Sequence, residues 1–227
     1  MGRLTKIILC LLIFFISFQV QAKNPPPGTG TSDLPANIFI LLDRSGSMND
    51  PMTVGGEVNR VVDVAVDSSG NTYMLEHFHN RISIFDSSGD FIKRIGDYGS
   101  GCAEWQESHS FAIYNDRIYI VDYGGHRVVI LDLNGNCLAT PSTWLDYPIA
   151  IAIGSTGAFI SHSFDGSVYI TSYNIAGSSL NDAGGGGYYD LGSWLDLSFG
   201  MNLNSAGNKL IVADEGNNQV IEFGVSG

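Results

Sequence analysis

The chain has 227 residues, with 11 Lys+Arg against 23 Asp+Glu and a formal net charge of −12. Nucleic-acid binding and docking on anionic lipid both need a basic surface, so this balance argues against either class of partner. With 44% apolar residues, few charges and 28 glycines, the composition suits short strands joined by turns rather than a disordered tail or a helical bundle.

Residues 1–22 read as a signal peptide. Arg3 and Lys6 precede an apolar run over 7–18, shorter than the ~20 residues of a bilayer span. Val20-Gln21-Ala22 ahead of Lys23 has the small-x-small form of a cleavage site. Cleavage between Ala22 and Lys23 predicts a secreted or periplasmic chain with no membrane span. It removes Cys10 and leaves Cys102 and Cys137, an even pair that an oxidising compartment joins; one disulfide is expected, the alternative being two separate buried thiols. Residues 23–36 (KNPPPGTGTSDLPA) form an extended polar linker.

Residues 37–48 give an apolar strand over 38–42 that ends in Asp43-Arg44-Ser45-Gly46-Ser47. This segment resembles the metal-ion-dependent adhesion motif of von Willebrand factor A domains, Asp-x-Ser-x-Ser at the carboxyl end of a strand. The resemblance implies that Asp43, Ser45 and Ser47 offer hard oxygen ligands to Mg²⁺, leaving an open position for an acidic partner. It also implies a doubly wound domain with a distant Thr and a further Asp, for which the repeats that follow leave no room. Alternatively, 38–42 is the strand that completes the last blade of the ring described next and hides its edge. A truncated adhesion motif without metal is the third alternative, and all three stay open at this point.

Residues 60–227 consist of repeats. Four segments align: VAVDSSGNTYMLEHFHNRISIFDSSG (64–89), FAIYNDRIYIVDYGGHRVVILDLNG (111–135), IAIGSTGAFISHSFDGSVYITSYN (151–174) and MNLNSAGNKLIVADEGNNQVIEFGVSG (201–227). They recur at intervals of about 40 to 50 residues, each an apolar strand, a polar turn, a second strand, a second turn and a third strand. Glu76, Asp122 and Asp214 close the second strand in three of them, with His162 in the corresponding place of the third. Asn80-Arg81, His126-Arg127, Gly166-Ser167 and Asn218-Gln219 open the third strand. Residues 91–95 and, more briefly, 137–139 supply a fourth strand. Trp105, Trp144 and Trp194 precede the second, third and fourth repeats.

This period and strand count predict an all-β chain, a β-propeller with four recognisable blades over 60–96, 108–140, 147–180 and 194–227. The repeats resemble NHL repeats, closely in the first, second and fourth and weakly in the third, where Ser167 stands in the Arg position. The resemblance implies NHL-type blades, in a family whose rings often have six. The chain is then either a small closed ring, closed by the strand 38–42, or part of a larger one. In each repeat the first strand is expected innermost, with Val64, Val66, Ile151 and Ile153 packing between blades.

Chemical signals are weaker. His77, His79, His109, His126 and His162 lie at turns and strand ends, where propeller enzymes can gather a metal from several blades, but ordinary turn positions account for them. Asp63, Asp67, Glu76, Asp122 and Asp214 suggest an acidic rim for Ca²⁺; the last three are read first as turn residues bonded to their own backbone. Gly184 to Gly187 lack the Lys and Ser/Thr of a phosphate loop and read as a surface insertion. No catalytic constellation and no certain cofactor stands out; Mg²⁺ or Ca²⁺ is the cation these oxygen groups would take. The function expected is an exported, non-catalytic binding, scaffold or adhesion module that meets a protein or carbohydrate on a propeller face. The alternatives are a metal-dependent NHL-propeller lyase or hydrolase and a fragment of a larger adhesion protein.

Overall fold

The computed structural model describes residues 58–141, 145–182, 188–190, 200–214 and 217–225. The Ala22–Lys23 junction, the linker, the Asp43, Ser45 and Ser47 motif, Trp144, Trp194 and the glycine run lie outside the described residues. Every regular element among the described residues is a strand. The first sheet runs β1 (Val61–Val66), β2 (Thr72–Glu76), β3 (Arg81–Phe85), β4 (Phe91–Ile95) in that order. The second runs β5 (Phe111–Tyr114), β6 (Arg117–Asp122), β7 (Arg127–Asp132), β8 (Cys137–Ala139). In the third, β9 (Pro148–Gly154), β10 (Gly157–Phe164), β11 (Ser167–Ala176) and β12 (Ser179–Asp182) follow one another, and β13 (Tyr188–Asp190) also pairs with β11. The fourth is β14 (Gly200–Leu203), β15 (Lys209–Asp214), β16 (Gln219–Gly224). All pairings between these strands are antiparallel, and the first strands pack in succession, β1 on β5, β5 on β9 and β9 on β14. The described residues form a β-propeller arrangement with four blades, one per repeat.

Two kinds of turn recur through the meander, beside the two-residue hairpins Asn115-Asp116 and Ser155-Thr156. The first begins at an Asx residue whose side chain takes over backbone donors. Asp67 Oδ1 accepts from Ser69 N and Asn71 N at 2.8 and 2.9 Å, Asp86 and Asp132 do the same in their turns, and Asn204 Oδ1 accepts from Asn208 N and Lys209 N at 3.0 Å each. Each such turn needs a left-handed residue, and Gly70, Gly89, Gly135 and Gly207 supply it at φ +85, +87, +87 and +68. The second kind joins the middle strands. Glu76 pairs across to Arg81 and Asp122 to Arg127, with the left-handed Asn80 and His126 (φ 48 and 55) closing a four-residue turn. The third blade departs from this: its hairpin is a two-residue turn, Asp165-Gly166, so β10 runs on to Phe164. His162 therefore sits opposite Tyr169, inside the strand rather than at its end.

Between successive blades lie three apolar layers. Leu75, Ile82, Ile84, Ile118, Ile120 and Val129 fill the first, between blades one and two. Tyr119, Val121, Val128, Ile130, Ile151 and Ile160 fill the second. Phe159, Ile170, Leu210 and Val212 fill the third. Alternate residues of β6 and β7 point into different layers, which is why both strands read as unbroken apolar runs. Ile151 and Ile153 pack between blades as expected. In β1 the expectation fails: a bulge between Val61 and Asp63 shifts the alternation, so Val62 and Ala65 face blade two while Val66 is 42% exposed.

Candidate ligand-binding face

The turns joining second to third strands, and the segments that lead into each following blade, lie at one end of the blades. Buried carboxylates organise this end. Glu76 has no exposed surface and accepts from Arg81 Nε and Nη2 at 3.1 and 2.9 Å, from Asn59 N at 3.0 Å and from Ser83 Oγ. Burial pushes its carboxyl up, but Arg81, Ser83, His79 and the Asn59 N–H outweigh burial and hold it below the ordinary value. Asp122, equally buried, accepts from Gln106 N at 2.7 Å, Gly125 N at 3.0 Å and Arg127 Nε at 2.8 Å. In blade four, Asp214 accepts from Gln219 Nε2 at 2.8 Å. The reading of these acids as local turn residues is thus too small. They are buried anchors that tie the next segment, or the start of the third strand, to the end of the second. Asp67 does serve its own turn, and Asp63 joins blades: its carboxylate accepts from Val64 N at 2.8 Å and from Phe111 N of blade two at 2.9 Å, while burial keeps its carboxyl above the ordinary value.

Arg127 carries the anchoring further. Its Nη atoms donate to the carbonyls of Ser100, Gly101 and Glu104 at 2.8, 2.9 and 2.8 Å. That loop also holds Cys102, joined by a disulfide to Cys137 at the start of β8 with a Cα–Cα distance of 5.6 Å. Trp105 closes the loop from below, fully buried against Gly96, whose φ of +89 brings the backbone onto the indole.

Over this framework runs a ribbon of rings. Phe78 and His77 lie on the blade-one turn with centroids 5.4 Å apart. His77 stacks on His109 at 4.5 Å, and its Nδ1 lies 3.1 Å from the Ser108 carbonyl. His109 meets the edge of Tyr123 at 5.3 Å; Tyr123 meets Tyr147 at 5.1 Å, and Tyr147 meets His126 at 4.3 Å. His126 Nδ1 lies 2.7 Å from Asp146 Oδ1, and the Arg60 guanidinium sits 4.2 Å over the Phe78 ring. Phe78 and Tyr147 are 62% and 42% exposed, a large apolar outlay for an otherwise polar end of the molecule. Burial, then the neighbouring His77 and Arg60, bring His109 down to about 4, so it is a neutral ring at physiological pH.

The sequence-predicted residues divide accordingly. His77, His109 and His126 are brought together in the ribbon, whereas His79 turns to Glu76 at 3.0 Å. His162 is buried in blade three with Nε2 2.9 Å from Thr171 Oγ1. Among the described residues no three His, Cys, Asp or Glu side chains converge as a metal would require. Sequence reasoning missed the rings of Phe78, Tyr123 and Tyr147, because residues so far apart meet only through blade packing.

Residues 57–151 match the model of a family described as a 6-bladed beta-propeller, DUF5128. No curated protein matches the chain. Among solved structures, the computationally designed Ika4 protein is similar at 10% identity and a TM-score of 0.53, over 77% of this chain and 96% of that one. Hydrazine synthase of Kuenenia stuttgartiensis is similar at 10% identity and a TM-score of 0.50 over 72% of this chain, which spans 44% of the synthase chain. Virginiamycin B lyase from Staphylococcus aureus is similar at 15% identity and a TM-score of 0.44, and this chain spans 55% of it. At such identities the likeness is one of fold alone.

Proposed function

We propose that the protein is an exported, non-catalytic binding module, built of NHL-type blades, that takes a carbohydrate chain across the aromatic ribbon. One observation carries it: Phe78, His77, His109, Tyr123, Tyr147 and His126 form a continuous run of rings over three blades, exposed at Phe78 and Tyr147. Pyranose rings present C–H faces that pack on aromatic planes and hydroxyl edges that bond to imidazole and carboxylate, and rigid rings lose little entropy on binding. The disulfide and the signal-peptide pattern support an extracytoplasmic setting.

Affinity electrophoresis through gels containing neutral and acidic polysaccharides is the direct test. Retardation by at least one polysaccharide, weakened several-fold in Phe78→Ala and Tyr147→Ala, is expected. Retardation by none, with a partner protein cross-linked to this face instead, would replace the carbohydrate by a protein. Binding is proposed to be independent of Asp43, Ser45 and Ser47. The melting temperature in Mg²⁺ is accordingly expected to be the same for Asp43→Ala as for the wild type, and a Mg²⁺-dependent rise lost in Asp43→Ala would assign a metal to the motif.

A further inference from the structure

At the opposite end of the blades, where first strands turn into second, a depression of about 350 Å³ opens between blades two and three. Its walls include Tyr114, Asn115 and Arg117 from blade two and Ser155, Thr156 and Asn174 from blade three. The apolar layer between these blades ends here: Tyr114 and Ile175 pack on its rim, and beyond them the lining is hydroxyl, amide and guanidinium.

Arg117 is the anomaly. Arg81 and Arg127 begin their strands paired to buried carboxylates, but Arg117 makes no ion pair among the described residues. Its Nη1 reaches the Asn115 carbonyl at a long 3.3 Å, and its Nε, buried, has no partner. The carboxylate across the sheet, Asp132, is committed elsewhere, accepting from Asn134 N, Asn136 N and Asn136 Nδ2 at 2.8 Å each. Two residues along the same strand face, the buried Tyr119 hydroxyl also lacks a partner. Its pKa is raised by burial and opposed by the charge of Arg117, so the two groups lie within electrostatic reach. In a chain with 23 Asp and Glu for 11 Lys and Arg, a guanidinium that lines a polar pocket without a carboxylate partner among the described residues is an exception, and its N–H groups suit an anionic acceptor.

We propose that this pocket binds a small hydroxylated monocarboxylate, with a hexuronic acid as the type, and that Arg117 is its counter-ion. The planar guanidinium matches a carboxylate with two parallel N–H donors. One cation neutralises one negative charge; a doubly charged phosphate would leave an excess anion beside an already acidic protein. Ser155, Thr156, Asn115 and Asn174 present the hydroxyl and amide groups that sugar hydroxyls bond to, and the volume lies in the range of small-ligand sites. The pocket shares no residue with the aromatic ribbon, so either site can fail without the other.

The test is calorimetric titration of the whole protein with sodium glucuronate, glucose and inorganic phosphate. Saturable binding of glucuronate is expected, with glucose and phosphate at least tenfold weaker. Arg117→Gln should weaken glucuronate at least tenfold with an unchanged far-UV spectrum. Should that variant not fold, Asn174→Phe, which blocks the mouth and leaves Arg117 in place, should give the same loss. Val220→Ser, exposed in blade four and part of neither site, should bind glucuronate as the wild type does. No binding of glucuronate, equal binding of glucose or phosphate, or full affinity in a folded Arg117→Gln or Asn174→Phe protein would each overturn the assignment.

Discussion

Glu76 concentrates the most interactions on one side chain: a carboxylate without exposed surface, receiving Arg81, Ser83, His79 and the Asn59 N–H. Removing one partner of a buried pair leaves the other charge uncompensated, so Glu76→Gln is expected to cost about 3 kcal/mol at pH 7, read by urea denaturation. Its folded pKa lies below the ordinary 4.5, so its stabilisation is complete above that pH and is lost as pH falls through the folded value. Acid unfolding should therefore be less steep in Glu76→Gln; an identical acid limb in both proteins would remove Glu76 as its source. His109 has the opposite chemistry and the same sign. Below pH 6.5 the unfolded chain takes up a proton that the folded ring refuses until about pH 4. Stability should decline across that window, and His109→Phe should flatten the decline in a series of melting curves; an unchanged slope would show that other groups titrate there. The sequence shows an acid and an arginine recurring at the same spacing in two repeats, but it reads the acids as turn residues; that Glu76 pairs with Arg81 and Asp122 with Arg127 comes from the structure. The stack of His77 on His109 was not legible either, since it is made by two blades meeting and neither repeat contains a sign of it.

At the level of elements, the loop between β4 and β5 is held three ways: by Cys102–Cys137, by Arg127 donating to three carbonyls, and by buried Trp105. These act at different stages. The disulfide chiefly restricts the unfolded chain, and closing a loop of this size is worth about 3–4 kcal/mol in the chain-entropy model. The guanidinium and the indole act on the folded loop itself. Cys102→Ser with Cys137→Ser should thus lower the melting temperature while leaving the near-UV signal of Trp105 intact. Arg127→Ala, with the disulfide retained, should alter that signal. A pair of serines that abolishes it would mean the covalent bond, not Arg127, sets the loop. Strands and turns were legible because each carries its own cause, apolar runs for β6 and β7 and an Asx residue with a left-handed glycine for the tight turns. The bulge in β1 and the shortened hairpin of blade three were not, since one inserted or missing position changes which face a side chain takes without changing composition.

Across the whole molecule, stability is distributed by how many neighbours a blade has. Blades two and three contribute to apolar layers on both sides, whereas blades one and four each contribute to a single layer among the described residues. The contrast is visible in strands of the same place in the repeat: Ile118, Tyr119, Ile120 and Val121 of β6 are all fully buried, while β15 alternates buried Leu210 and Val212 with partly covered Ile211 and exposed Ala213. In an array where each unit packs only on its neighbours, local opening is cheapest where a unit has one partner. Native-state hydrogen exchange should accordingly find the amides of β6, β7 and β10 slowest and those of β15 and β16 several-fold faster or more. Mutation should follow the same gradient. Ile120→Ala empties a site between two packed sheets and should cost about 2–5 kcal/mol, whereas Ile221→Ala, at a half-covered position in β16, should cost less than about 2 kcal/mol. Uniform protection through all four blades, or equal costs for the two substitutions, would mean that the faces of blades one and four are covered in solution as fully as those between blades.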